Sequence, residues 1–125
     1  MNWLVATVLD LEKATEMFHR WAQKNPYVGE LRIFGSYAKG TFRLDSDLDI
    51  AVRVVRVKPG DTNVWVTALC ECPQWGKELT EILGVKIDMH DITGTHVSQY
   101  VQEASILVYL DEMVLQNQML QEKCI

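Results

Sequence analysis

The chain is short of positive charge: 12 Lys and Arg stand against 17 Asp and Glu, giving a formal net charge of -5. Gripping nucleic acid by phosphate neutralisation needs a basic surface, so direct nucleic-acid binding by this chain alone is not expected. Cysteine is scarce. Cys70, Cys72 and Cys124 make an odd number, without the second Cys or His cluster of a structural zinc site, so reduced thiols in the cytoplasm are expected. Long apolar runs are missing too: the start, Met1 to Leu9, is short and has no cationic leader, and charge interrupts every later run well before a bilayer span. Neither a signal peptide nor a transmembrane helix is expected.

What is present fits one soluble domain of 125 residues, 48% hydrophobic and 23% charged. It holds a core of useful size but no second substrate-recognition domain. Leu11, Ala14, Phe18, Trp21 and Ala22 recur at helical spacing after a capping Asp10, and Asn25-Pro26 stops them, predicting a helix over about 10–24. Leu31, Ile33 and Phe34 form a short β-like run that ends at Gly35, and Asp47 to Val57 reads as a longer strand with Arg53 and Arg56 as solvated flanks. Residues 62–83 keep a helical period, but Pro73 cannot donate inside a helix, which predicts a break there and an end at Gly84. Val85, Ile87 and Met89 alternate with Lys86, Asp88 and His90, a third strand with one polar face. A helix over about 95–104, an apolar run from Ile106 to Leu110 and a helix over 111–123 complete an α+β pattern, with no linker, repeat or low-complexity tract.

The chemistry concentrates in Gly35-Ser36-Tyr37-Ala38-Lys39-Gly40 and, five residues on, Ser46-Asp47-Leu48-Asp49. Glycine lets backbone amides approach phosphate oxygens, and the Ser36 hydroxyl can donate to them; a helix starting at Tyr37 would add positive potential. Asp47 and Asp49, two apart on a strand, project to one face roughly 7 Å apart, a pair that attracts a divalent cation. Magnesium binds through one or two carboxylates plus phosphates and water, and a third carboxylate would admit a second ion to clamp an in-line phosphoryl displacement. Asp88 is the best third group, with Asp91 and Asp45 as fallbacks. A loop turn with two solvated acids is the bland alternative. Six fixed positions at roughly 7% each make a chance match on the order of one in 100,000, which argues against it. The three histidines, His19, His90 and His96, show no ligand spacing and read as surface or structural residues; His90, two residues after Asp88 and on its face, is the one to watch.

These residues resemble the nucleotidyltransferase superfamily that includes DNA polymerase beta, and specifically its minimal members. The signature is Gly-Ser, a second glycine, then Ser-Asp-x-Asp, met by Gly35, Ser36, Gly40, Ser46, Asp47 and Asp49. The order of elements also follows the family from about residue 10 to 110, leaving 111–123 as a helical extension. The resemblance implies a nucleotidyltransferase fold with a small mixed sheet flanked by helices. It implies that Asp47 and Asp49 ligate two magnesium ions and that Asp88 completes the catalytic metal site. It further implies that Gly35, Ser36, Lys39, Gly40 and Ser46 hold the nucleotide. The implied reaction is attack of an acceptor hydroxyl on the α-phosphorus of ATP, releasing pyrophosphate. Lys39 stands where arginine is frequent, which keeps a point charge but loses the guanidinium fork, and the segment from Asp61 to Gln74 is longer than minimal.

Small members of this superfamily often work with a helical partner of the HEPN type in toxin–antitoxin pairs, where the transferase adenylylates the toxin. Three functions follow: AMP transfer to such a partner, a non-catalytic interaction module, or small-molecule modification of the aminoglycoside kind by a homo-oligomer. Asp88 could also act as general base. Met113, Val114, Leu115, Met119 and Leu120 offer apolar surface that core, homodimer or partner could cover.

Overall fold

The computed structural model describes residues 10–43 and 46–123. In chain order these form α1 (Leu11–Gln23), β1 (Val28–Phe34), α2 (Ser36–Lys39), β2 (Leu48–Val54), α3 (Val64–Leu83), β3 (Ile87–Asp91), α4 (Thr95–Glu103), β4 (Ser105–Leu110) and α5 (Glu112–Lys123). The sheet order is β3-β2-β1-β4, with β1 antiparallel to β2 and β4 and β2 parallel to β3. This mixed sheet with flanking helices is the α+β nucleotidyltransferase architecture expected from the sequence.

Alternation along the strands sends two sets of side chains to opposite faces. Leu31, Ile33, Leu48, Ile50 and Val52 are fully buried on one face, where Phe18 of α1 and Ala68 and Leu79 of α3 join them in the main core. Phe34 and Ala51 turn to the other face and pack with Ile92, Val97 and Val101, which seats α4 there. Asp10 caps α1 by accepting from the Glu12 and Lys13 amides at 3.1 and 3.3 Å, so this helix starts where its capping residue predicts.

Four expectations change. Helix α3 runs unbroken through Pro73. Pro73 leaves the Leu69 carbonyl without its helical donor, but both residues are exposed, so water can serve that carbonyl. Ala68 and Cys72 on one side and Trp75, Gly76 and Leu79 on the other hold both halves against the sheet. The first strand begins at Val28, earlier than its apolar run suggests, because Glu30 and Arg32 occupy strand positions with a polar partner. Arg53 is that partner rather than a solvated flank. Its Nε donates to Glu30 Oε1 at 2.9 Å, Arg32 Nε donates to Glu30 Oε2, and Glu30 is only 2% exposed. Burial alone would raise the Glu30 carboxyl, but the two guanidinium groups reverse this and hold it below the ordinary carboxylate range. Strand β2 also spans less than predicted: it starts after Asp47 and ends at Val54, leaving Val55 and Val57 exposed.

Candidate active site

Gly35 ends β1 and caps α2 at φ 71°, ψ -146°, a backbone conformation that side chains disfavour. The space where a Cβ would sit belongs to Asp49: an added methyl would lie 2.4 Å from Asp49 Oδ2. The register explains this contact, because Phe34 pairs with Asp49 across β1 and β2. The Lys39 amide donates to the Gly35 carbonyl at 3.1 Å and the Thr41 amide to the Ser36 carbonyl at 2.9 Å, which closes α2 at Gly40. This helix begins at Ser36, one residue earlier than predicted.

The parallel register sets Asp49 opposite Asp88 and Ala51 opposite His90, all on the face away from the main core. Oxygen atoms of Asp49 and Asp88 and a nitrogen of His90 lie within 4.8 Å of one another. His90 Nε2 stands 3.0 Å from Asp88 Oδ2 and 4.0 Å from Asp49 Oδ1. Phe34 steadies the imidazole edge-on, with ring centroids 5.7 Å apart at 68°. Burial raises the Asp49 carboxyl above its ordinary range, Asp88 and then Asp47 add to the shift, and His90 opposes it. The site therefore concentrates negative charge that a cation would relieve. Two carboxylates and an imidazole within coordination reach fit a divalent metal ion.

Asp47 stands outside this set. It precedes β2, so strand alternation does not direct its side chain, and Lys86 Nζ approaches its Oδ2 at 3.5 Å. Asp49 is grouped with Asp88 and His90, while Asp47 lies near enough to add to the upward shift of the Asp49 carboxyl. Of the fallbacks, Asp91 is occupied in the turn before α4, accepting from the Thr93 amide at 3.1 Å and the Thr93 hydroxyl at 2.9 Å. Asp45 lies outside the described residues. Ser46 faces its own turn, its Oγ accepting from the Arg43 amide at 2.7 Å.

Two clefts share His90, one lined also by Asp49 and the other by Asp88. One, of about 530 Å³, is lined by Gly35, Ser36, Lys39, Asp49, His90 and Tyr100. Lys39 Nζ reaches Glu103 Oε1 at 3.0 Å and lies 5.9 Å from the Tyr100 ring centroid, placing a cation at that mouth. The other, of about 690 Å³, runs between α3 and edge strand β3, with Leu69, Cys72, Gly76 and Met89 along it and Asp88 and His90 at its end. Both volumes suit a small ligand. The α4 lining was not anticipated from the sequence, although His96, Tyr100 and Glu103 at i, i+4 and i+7 mark one polar-aromatic helix face.

A glycine turn meeting strand carboxylates on a small mixed sheet defines a minimal α+β domain. Residues 15–110 match the nucleotidyltransferase domain family, and the chain belongs to it. Solved structures share the fold. A chain in the crystal structure of a toxin–antitoxin with AMP-PNP is 19% identical with a TM-score of 0.53, the match covering 79% of this chain and 78% of that one. A chain of a mutant MntA–HpeT toxin–antitoxin is 21% identical with a TM-score of 0.56, covering 93% and 92%. A chain of the toxin–antitoxin MntA–HepT is 16% identical with a TM-score of 0.54, covering 90% and 88%. No curated protein matches the chain. Among the described residues no helix is long and apolar enough to cross a membrane.

Proposed function

We propose that this chain transfers AMP from ATP to a hydroxyl of a partner protein of the HEPN type. The observation that carries the reading is the Asp49 carboxylate seated against the Gly35 turn and facing Asp88 across the register. The Gly35–Ser36 turn and Lys39 would take the triphosphate in the smaller cleft. The groove beside α3 would admit the acceptor from the other side of the acids, as displacement in line requires. The acceptor oxygen bonds to the α-phosphorus, the bond from that phosphorus to the bridging oxygen breaks, and pyrophosphate leaves with the electron pair. Asp88, half-exposed beside the groove, takes the hydroxyl proton. Asp49 and Asp88 would hold the divalent cation, with Asp47 adding charge nearby; on oxygen donors alone that ion is magnesium. Bound there, it neutralises phosphate charge.

The partner assignment draws support from the toxin–antitoxin assemblies that share this fold. Incubation with labelled ATP, a divalent cation and the protein encoded beside it tests the reading. Label should pass to that protein and be lost in Asp49→Asn; transfer that is absent, or indifferent to Asp49, overturns it. The exposed Met113, Leu115, Met119 and Leu120 on α5 favour a second reading, a non-catalytic binding module, in which Asp49→Asn would leave partner neutralisation intact.

A further inference from the structure

We infer that His90 is itself a metal ligand, so that the site prefers a divalent transition metal over magnesium. The inference deepens the proposed function and rests on its divalent cation. Ligands bonded at roughly 2.1 Å to one octahedral ion lie about 3.0 Å apart when adjacent and about 4.2 Å apart when opposite. His90 Nε2 stands 3.0 Å from Asp88 Oδ2 and 4.0 Å from Asp49 Oδ1, close to both separations. One ligand atom from each of the three lies within 4.8 Å of the others. Asp88 and His90 are two apart on β3 and share its polar face, while the parallel register delivers Asp49 from β2 to the same spot. The Phe34 ring packs edge-on to the imidazole from β1, fixing its direction toward the acids. His90 also lines both clefts, so an ion bound to it would stand where they meet.

The donor set decides the metal. Magnesium is hard, takes oxygen ligands and sheds water reluctantly, whereas imidazole nitrogen raises affinity for first-row transition ions. Two oxygens and a nitrogen therefore favour first-row transition ions over magnesium, iron(II) to zinc most strongly, with manganese(II) as the spectroscopic probe of the site. In a chain with only three histidines, the contribution of each can be read separately.

The test is pulsed electron paramagnetic resonance of manganese(II) bound to untagged protein labelled with 15N-histidine, in the presence of AMP-PNP. A 15N coupling from a directly bonded imidazole is expected in the wild type. It should persist in the His19→Gln/His96→Gln double variant, where His90 is the remaining histidine, and vanish in His90→Gln. The ratio of manganese to magnesium affinity should fall about tenfold in His90→Gln. Manganese bound without histidine coupling, or a coupling that survives His90→Gln, overturns the inference. Should His90→Gln fail to fold, the wild type and the double variant decide alone. AMP transfer with no coupling sinks this inference and spares the proposed function; coupling without transfer does the reverse.

Discussion

Gly35 and Asp49 occupy the same small volume: the carboxylate of one fills the space that a side chain on the other would need. The turn and the acid are therefore one structural unit, joined by the Phe34–Asp49 register. Gly35→Ala should push Asp49 aside and strain a positive φ, costing about 1–3 kcal/mol of stability. AMP transfer should fall well beyond that loss, by tenfold or more, in a variant that circular dichroism shows to be folded. Unchanged transfer would contradict the coupling.

Lys39 stands at the mouth of the Gly35 cleft between Glu103 and the Tyr100 ring. Lys39→Gln is expected to raise the KM for ATP about tenfold with a smaller change in kcat, and Lys39→Arg to restore most of the affinity, since the charge returns. Steady-state kinetics over a range of ATP concentrations separates the two effects.

Glu30 is buried between Arg32 and Arg53, and its carboxyl titrates below the ordinary value of 4.5. With the folded value depressed, its contribution to stability is complete above the unfolded pKa and lost as the pH falls through the folded one. Urea unfolding from pH 7 down to pH 3 should show a loss of stability that Glu30→Gln removes. Glu30→Ala, which strands two guanidinium groups, should cost about 2–3 kcal/mol at pH 7.

Pro73 sits within a continuous helix. Pro73→Ala restores an amide to the Leu69 carbonyl and should stabilise the protein by about 1–3 kcal/mol, read as a higher Tm with transfer unaltered. A lower Tm would mean that the proline ring itself contributes packing that alanine cannot replace.

Cys72 is buried, and burial, helped by the charge of Asp91, pushes its thiol up to about 12, whereas Cys70 is exposed. Iodoacetamide at pH 8 should alkylate Cys70 in the folded protein and reach Cys72 only after unfolding, as peptide mass mapping would show. Equal labelling of the two would place Cys72 at the surface.

Much of this was legible in the sequence, because strand and helix periods report which side of an element is buried. The alternation Ile87, Met89 against Asp88, His90 gave the strand and the face that its polar residues share. Gly35 ended the first strand as its neighbours indicated. What failed depended on partners distant in the chain. Arg53 reads as a solvated flank until Glu30 is seen across the register, 23 residues away. Asp47 and Asp49 look equivalent by spacing, yet only Asp49 lies within the strand, while Asp47 precedes it with Lys86 Nζ at 3.5 Å. The length of α3 was misjudged because Pro73 acts locally, while the packing that overrides it is tertiary.

The parallel pairing of β2 with β3 has a consequence for biosynthesis. Phe34 meets Asp49 across an antiparallel pair only 15 positions apart, whereas Asp88 lies 39 positions beyond Asp49, reached only after the whole of α3 has crossed the sheet. Contacts of short span form early and those of long span late. A ribosome-bound chain would thus join its glycine turn to Asp49 well before Asp88 arrives with β3.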